Sequence, residues 1–177
     1  MLAIMFYFMD DSLMGKTLEH HQVWTNPWHF IAFGFGSGLL PIMPGTYGTL
    51  VAIPFYFLLQ SLGWPIYVIM TVIITVFGVW LSEKVSNEIG IHDYPGMNFD
   101  EIVGYLVTML FVPPHWFLVL LGFGLFRLFD IWKPWPIRLI DEQVKGGVGV
   151  ILDDVVAGLF SLVVLQITLF LMPSFFN

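Results

Sequence analysis

The sequence predicts an all-α, polytopic membrane protein with about four membrane-embedded helical segments, one of them a hairpin broken by two adjacent prolines. Composition is the first observation behind this. Of 177 residues, 58% are hydrophobic and only 11% charged, with a mean hydropathy of +0.85. Ordinary soluble domains are about one-quarter charged, and no water-soluble surface can be built from so few polar side chains. The second observation is that long apolar runs alternate with polar segments that hold nearly all the charges. The third is Pro113-Pro114-His115, which interrupts the middle of one apolar run.

Pro65 to Leu81 and Val155 to Met172 are long enough, or nearly so, to cross about 30 Å of hydrocarbon. Leu50 to Trp64 is shorter. Ile102 to Phe126 is long but carries the prolines, and sidedness decides its path. A single span would place Asp100 and Glu101 on the opposite face from Arg127 and Asp130, and one site could not then contain all four. Adjacent prolines remove two amide donors and fix the backbone, so a hairpin at Pro113-Pro114 returns the chain to its starting face. Each arm is about 11 residues, or roughly 17 Å of helix, so the hairpin is expected to be partly re-entrant. The polar segments Pro44 to Thr49, Glu83 to Glu101 and Arg127 to Asp154 then share one face. Lys84, Arg127, Lys133, Arg138 and Lys145 lie there too, which the positive-inside rule assigns to the cytoplasm.

The chain reads as a variable tail, 1–25, followed by one membrane-embedded catalytic domain, 26–177. The run Leu2 to Met9 lacks a basic flank and meets Asp10 and Asp11 directly, so it does not read as a cleaved signal. The segment to Gln22 reads as an amphipathic surface helix or a tail without assignable role. Six Lys and Arg against a net charge of −7 provide no basic stripe for nucleic acid. Cysteine is absent, which excludes disulfides, thiolate metal sites and a cysteine nucleophile.

Asp100 and Glu101 precede the apolar run Ile102 to Leu110, where they can cap a helix or ligate a metal. Asp93 adds a third acid in a loop expected to be flexible at Pro95 and Gly96. Arg127, Asp130 and Lys133 stand at i, i+3, i+6, along one helix face. They make either a charge ladder at a membrane boundary or a clamp in which the cations hold phosphate while Asp130 binds metal. Gly146, Gly147 and Gly149 lead to Asp153-Asp154 at the mouth of the last span. Acids there must face a wet cavity, a partner or a cation. Neighbouring helical positions diverge by about 100°, so one of the two is expected to be a ligand and the other either to support it from behind or to act as a catalytic group. The glycines allow close approach to an anion, or simply punctuate a loop. Pro44 to Thr49 reads as a turn before a helix starting at Leu50, with Thr49 as N-cap; Thr46 and Thr49 could also cradle phosphate.

Taken together, these motifs resemble the phosphatidylglycerophosphatase A family. The resemblance covers Asn26-Pro27-Trp28-His29, GFGSGLLPIMPGTYGT from Gly34 to Thr49, His92-Asp93 through Asp100-Glu101 to Gly104, FRLFDIWKPWPIR from Phe126 to Arg138, and GGVGVILDDVVAG from Gly146 to Gly158. It implies Mg²⁺-dependent hydrolysis of phosphatidylglycerophosphate at the cytoplasmic face of a bacterial inner membrane. It also implies that Asp100, Glu101, Asp130, Asp153 and Asp154 form the metal-binding and catalytic set. Arg127, Lys133, Thr46 and Thr49 remain the substrate-binding candidates. The PSGH segment of histidine-dependent lipid phosphatases and the DGxxAR core of CDP-alcohol phosphotransferases are absent. A small ion-coupled transporter or assembly subunit is the alternative, although transporter sites lie near the midplane on broken helices. The topology makes a testable prediction. Single cysteines at positions 93, 138 and 145 should all be labelled from the cytoplasmic side, and periplasmic labelling at any one of them contradicts the shared face.

Overall fold

The computed structural model of the protein describes residues 20–172, and every regular element among them is helical. The readings placed on residues 1–19 lie outside that range. In chain order the helices are α1 (His20–Thr25), α2 (Pro27–Ala32), α3 (Pro44–Ser61), α4 (Trp64–Ile89), α5 (Phe99–Thr108), α6 (Trp116–Trp132), α7 (Ile137–Gln143) and α8 (Gly146–Leu171), with a 3₁₀ turn at Ser37–Leu39. Helix α8 is the hub, packing against α4, α5, α6 and α7, while α3 lies against α5.

Two helices, α4 and α8, are long and apolar enough to cross a membrane. Each has 26 residues, and their most apolar stretches have mean hydropathies of 2.0 and 2.3. In α4 only 28% of that stretch is buried within the protein. Its outward face carries Ile66, Ile69, Val72, Ile73 and Val76. The core helix of a soluble protein would cover such a face, whereas lipid requires no cover. Glycines punctuate the ends of α4: Gly63 precedes it with φ 91°, and Gly90 closes it in the left-handed conformation, donating its N–H to the Ser86 carbonyl at 2.8 Å.

The proline break is present, but its arms are unequal. The first, α5, has 10 residues and the second, α6, has 17, because α6 runs on past the apolar arm to Trp132, carrying Arg127 and Asp130 on the helix expected for them. The apolar signal stops at the first charge while the hydrogen-bond ladder does not. Breaking α5 inside the fold leaves its last carbonyls without helical partners. Tyr67 answers that need at Leu106, and two more fully buried tyrosines and a glutamine bond other carbonyls of the hairpin. Tyr67 donates to the Leu106 carbonyl at 2.8 Å, Tyr56 to Val112 at 2.8 Å, Tyr105 to Val119 at 3.0 Å, and Gln166 to Leu110 at 3.2 Å.

Both glycine-containing polar segments are helical turns, not loops. Helix α3 starts at Pro44, with Met43 as N-cap, so Thr49 is no cap. It is buried in the second turn, and its hydroxyl donates to the Gly45 carbonyl at 3.0 Å. Helix α8 starts at Gly146, nine residues before the apolar run, which places Asp153 and Asp154 within the helix and not at its mouth. A Cβ at Gly147 would strike the backbone of Val79 and Glu83 on α4. The anion its N–H meets is the protein's own Glu83 carboxylate, at 2.6 Å. The Asp93 loop is clamped and not loose: the carbonyl of Gly96 packs against Gly38, and Asn98 is fully buried.

Tyr67→Phe is expected to destabilise the detergent-solubilised protein by about 1–3 kcal/mol, since it strands a buried carbonyl. Ser61→Ala, which removes an exposed hydroxyl bonded to the Leu58 carbonyl, should have little effect in the same thermal melt.

Candidate active site

Asn98 fixes the start of α5. Its backbone N–H donates to the Ala32 carbonyl at 3.0 Å, and its side-chain amide donates to Ser37 Oγ and to the Pro44 carbonyl, each at 2.9 Å. Asp100 and Glu101 follow in the first turn, where the helix dipole favours carboxylates. Helix α8 then crosses α5 at very short range. A Cβ on Gly104 would meet the Phe126 ring and the Asp154 carbonyl, and a Cβ on Gly158 would meet the Gly104 carbonyl. Small residues at a crossing let helix backbones approach closely, and this crossing brings Asp154 opposite Asp100 and Glu101.

One carboxylate oxygen from each of these three acids lies within 4.8 Å of the other two. Asp154 is only 3% exposed. Asp100 Oδ1, Glu101 Oε2 and Asp154 Oδ2 are all buried without a hydrogen-bond partner. Buried carboxylates without partners are costly, and a divalent cation with hard-oxygen preference fits this donor set. The three could hold a metal ion.

The other two acids are engaged by cations. Asp130 receives Arg127 Nη1 at 2.5 Å, and the same nitrogen reaches Glu101 at 3.4 Å. That second contact shows the hairpin returning to its starting end. Lys133, the left-handed cap of α6, bridges Asp153 at 2.7 Å and Asp141 of α7 at 2.8 Å. Burial opposes its charge, but the two carboxylates outweigh burial and hold its pKa above the usual lysine range. Asp153 Oδ1 is buried and has no partner. Asp153 and Asp154 thus diverge as neighbouring helical positions must.

A cleft of about 360 Å³ opens over this cluster, lined by Asp93, Asp100, Glu101, Asp130, Lys133, Asp153 and Asp154 among others. His92, Asp141 and Lys145 also line it. Sequence reasoning gave Asp141 no role because it lies outside the helical spacing of Arg127, Asp130 and Lys133. Arg127, Thr46 and Thr49 do not line the cleft; Arg127 sits behind Glu101, and the Thr46 hydroxyl is buried without a partner.

Fold and site together define a class: an all-helical protein with two helices fit to cross a membrane and an acidic cleft able to hold a cation beside a doubly paired lysine. The family model described as phosphatidylglycerophosphatase A matches residues 30–169. A phosphatidylglycerophosphatase A of Escherichia coli K12 is 45% identical over 138 residues, covering 77% of this chain and 80% of that one. Another of that name from Haemophilus influenzae is 40% identical over 141 residues, covering 78% and 86%. A protein named putative phosphatidylinositol-3-phosphatase from Bacteroides thetaiotaomicron is 40% identical over 147 residues, covering 77% and 90%. No solved structure matches. The chain belongs to the phosphatidylglycerophosphatase A family.

Proposed function

We propose that this chain hydrolyses phosphatidylglycerophosphate to phosphatidylglycerol and inorganic phosphate, with Mg²⁺, at the cytoplasmic face of a bacterial inner membrane. The observation that carries the reading is the trio of partnerless buried oxygens on Asp100, Glu101 and Asp154 in a polar cleft. The names of the relatives supply the substrate: two are phosphatidylglycerophosphatases, and the third name also denotes removal of a phosphate from a lipid.

In this reading Asp100, Glu101 and Asp154 hold the cation. Mg²⁺ bound there would neutralise phosphoryl charge as a Lewis acid. Lys133 faces the cleft and offers its ammonium to a phosphoryl oxygen, held in place by Asp141 and Asp153. Asp153 Oδ1 accepts a proton from the attacking water. The new P–O bond forms in line as the bond to the glycerol oxygen breaks, that oxygen takes a proton from solvent to become the free hydroxyl of phosphatidylglycerol, and Asp153 returns its proton to solvent. Arg127 and Asp130 act by positioning, fixing Glu101 from behind. Thr46 and Thr49 serve the packing of α3 instead of the substrate.

Helix α3 and the α5–α6 hairpin complete about four membrane-embedded segments of one catalytic domain. The exposed Trp132 and Trp135 lie at the membrane surface and contact the lipid body. The transporter reading is less favoured, because the acids sit in the first turn of α5, the last turn of α6 and two turns into α8, beside paired cations.

Phosphate release by purified protein tests the proposal. Lipid substrate should be turned over far faster than soluble glycerol phosphate. Asp100→Asn and Asp154→Asn should each lose at least about 100-fold in activity, with partial rescue by excess Mg²⁺. Near-native specific activity in properly folded Asp100→Asn and Asp154→Asn proteins eliminates the site.

A further inference from the structure

Glycine is a poor helix former beside alanine, yet Gly45 stands in the first turn of the 18-residue helix α3. Its φ is not positive, so backbone conformation does not call for glycine there. Space does. A Cβ at Gly45 would overlap Glu101 Oε1 and come within 2.9 Å of Arg127 Nη1. The place that a side chain would take is filled by the carboxylate of another helix. This end of α3 has no side-chain cap, since its N-cap is Met43, and the positive end of a helix dipole favours an anion beside it.

We infer that Gly45 is a positioning residue of the cation site: the gap it leaves seats Glu101 Oε1 against the first turn of α3 and beside Arg127, which leaves Oε2 as the oxygen free to ligate. The inference rests on the cation reading of Asp100, Glu101 and Asp154 above. The two oxygens of Glu101 are unlike. Oε1 accepts from Arg127 Nη1 at 3.4 Å, whereas Oε2 is buried and has no partner. Helix α3 is held from moving aside for a larger residue, because it docks on the start of α5 at two neighbouring points. Asn98 donates to the Pro44 carbonyl at 2.9 Å, and a Cβ at Gly48 would meet the Asn98 carbonyl at 2.6 Å. What yields to a methyl group at position 45 is therefore the flexible end of the Glu101 side chain, and the ligating oxygen moves with it.

The test is thermal unfolding of the full chain in detergent across a Mg²⁺ titration at constant ionic strength. Gly45→Ala should need about tenfold more Mg²⁺ than the unaltered chain for the same rise in Tm, the cost of disturbing a group that orients a metal ligand. Two controls should need no more than the unaltered chain: Gly124→Ala, where a Cβ would meet nothing within 4 Å, and Tyr67→Phe, which weakens the fold at Leu106. In Glu101→Asp protein the carboxylate is withdrawn by one methylene, so adding Gly45→Ala should cost less than about twofold, as expected of two residues that act through one contact. An unchanged Mg²⁺ requirement in Gly45→Ala, the same tenfold increase in Tyr67→Phe, or an undiminished increase in the Glu101→Asp background overturns the inference. Should Gly45→Ala fail to fold, folding of the Gly45→Ala/Glu101→Asp double variant upholds the clash with Glu101, and failure of both overturns it. No rise in Tm for the unaltered chain would instead defeat the cation reading itself, so the two failures are distinguishable.

Discussion

The near-contact of α5 and α8 at Gly104 and Gly158 places the backbone of one helix against that of the other, and side chains at either position would force them apart. Asp154 lies on α8 within this crossing, and Asp100 and Glu101 lie one turn before Gly104 on α5. Their oxygens come within 4.8 Å of one another where the two helix backbones are in close contact. Dispersion holds such a crossing through many small contacts. The electrostatics oppose it, since three carboxylates are gathered with oxygens that have no protein partner. A cation bound there would turn that repulsion into attraction, so the same crossing supplies the scaffold and a group of acids that could hold a metal ion.

The proline break is the second requirement. It lets the chain enter the fold as α5, turn, and return as α6 at the same end, where Arg127 meets Glu101. Such a break strands carbonyls in an apolar interior. The hydroxyls of Tyr67 and Tyr56 meet the carbonyls of Leu106 and Val112 at the break, while Tyr105 ties α5 to the Val119 carbonyl of α6. These tyrosines do no chemistry, yet the site depends on the turn they stabilise.

Much of this was legible in the sequence, because so apolar a composition leaves long runs broken by few charges, and those few stand out. The helical class, the two helices long and apolar enough to cross a membrane and the Pro113-Pro114 break could all be read there, and so could Asp100, Glu101 and Asp154 as candidates. What misled was glycine. Pro44 to Thr49 and Gly146 to Gly149 carry residues that punctuate loops in isolation, and both proved to be first turns of helices. In each, glycine permits a neighbour to approach: Asn98 at Gly48, Val79 and Glu83 at Gly147. Local propensity cannot distinguish a glycine that ends a helix from one that admits a second helix. The pairing of Lys133 with Asp141 was equally invisible, since α7 reaches Lys133 only through the tertiary fold.

The central claim is that the crossing of α5 and α8 gathers Asp100, Glu101 and Asp154 into a divalent-cation site. Thermal unfolding of the detergent-solubilised protein across a Mg²⁺ titration at constant ionic strength measures this directly, because a ligand that binds the folded state raises stability by RT ln(1 + [L]/Kd). The account predicts a saturable rise in Tm for the unaltered chain and its loss in Asp154→Asn. An equal rise in Asp154→Asn, or no rise in the unaltered chain, would contradict it.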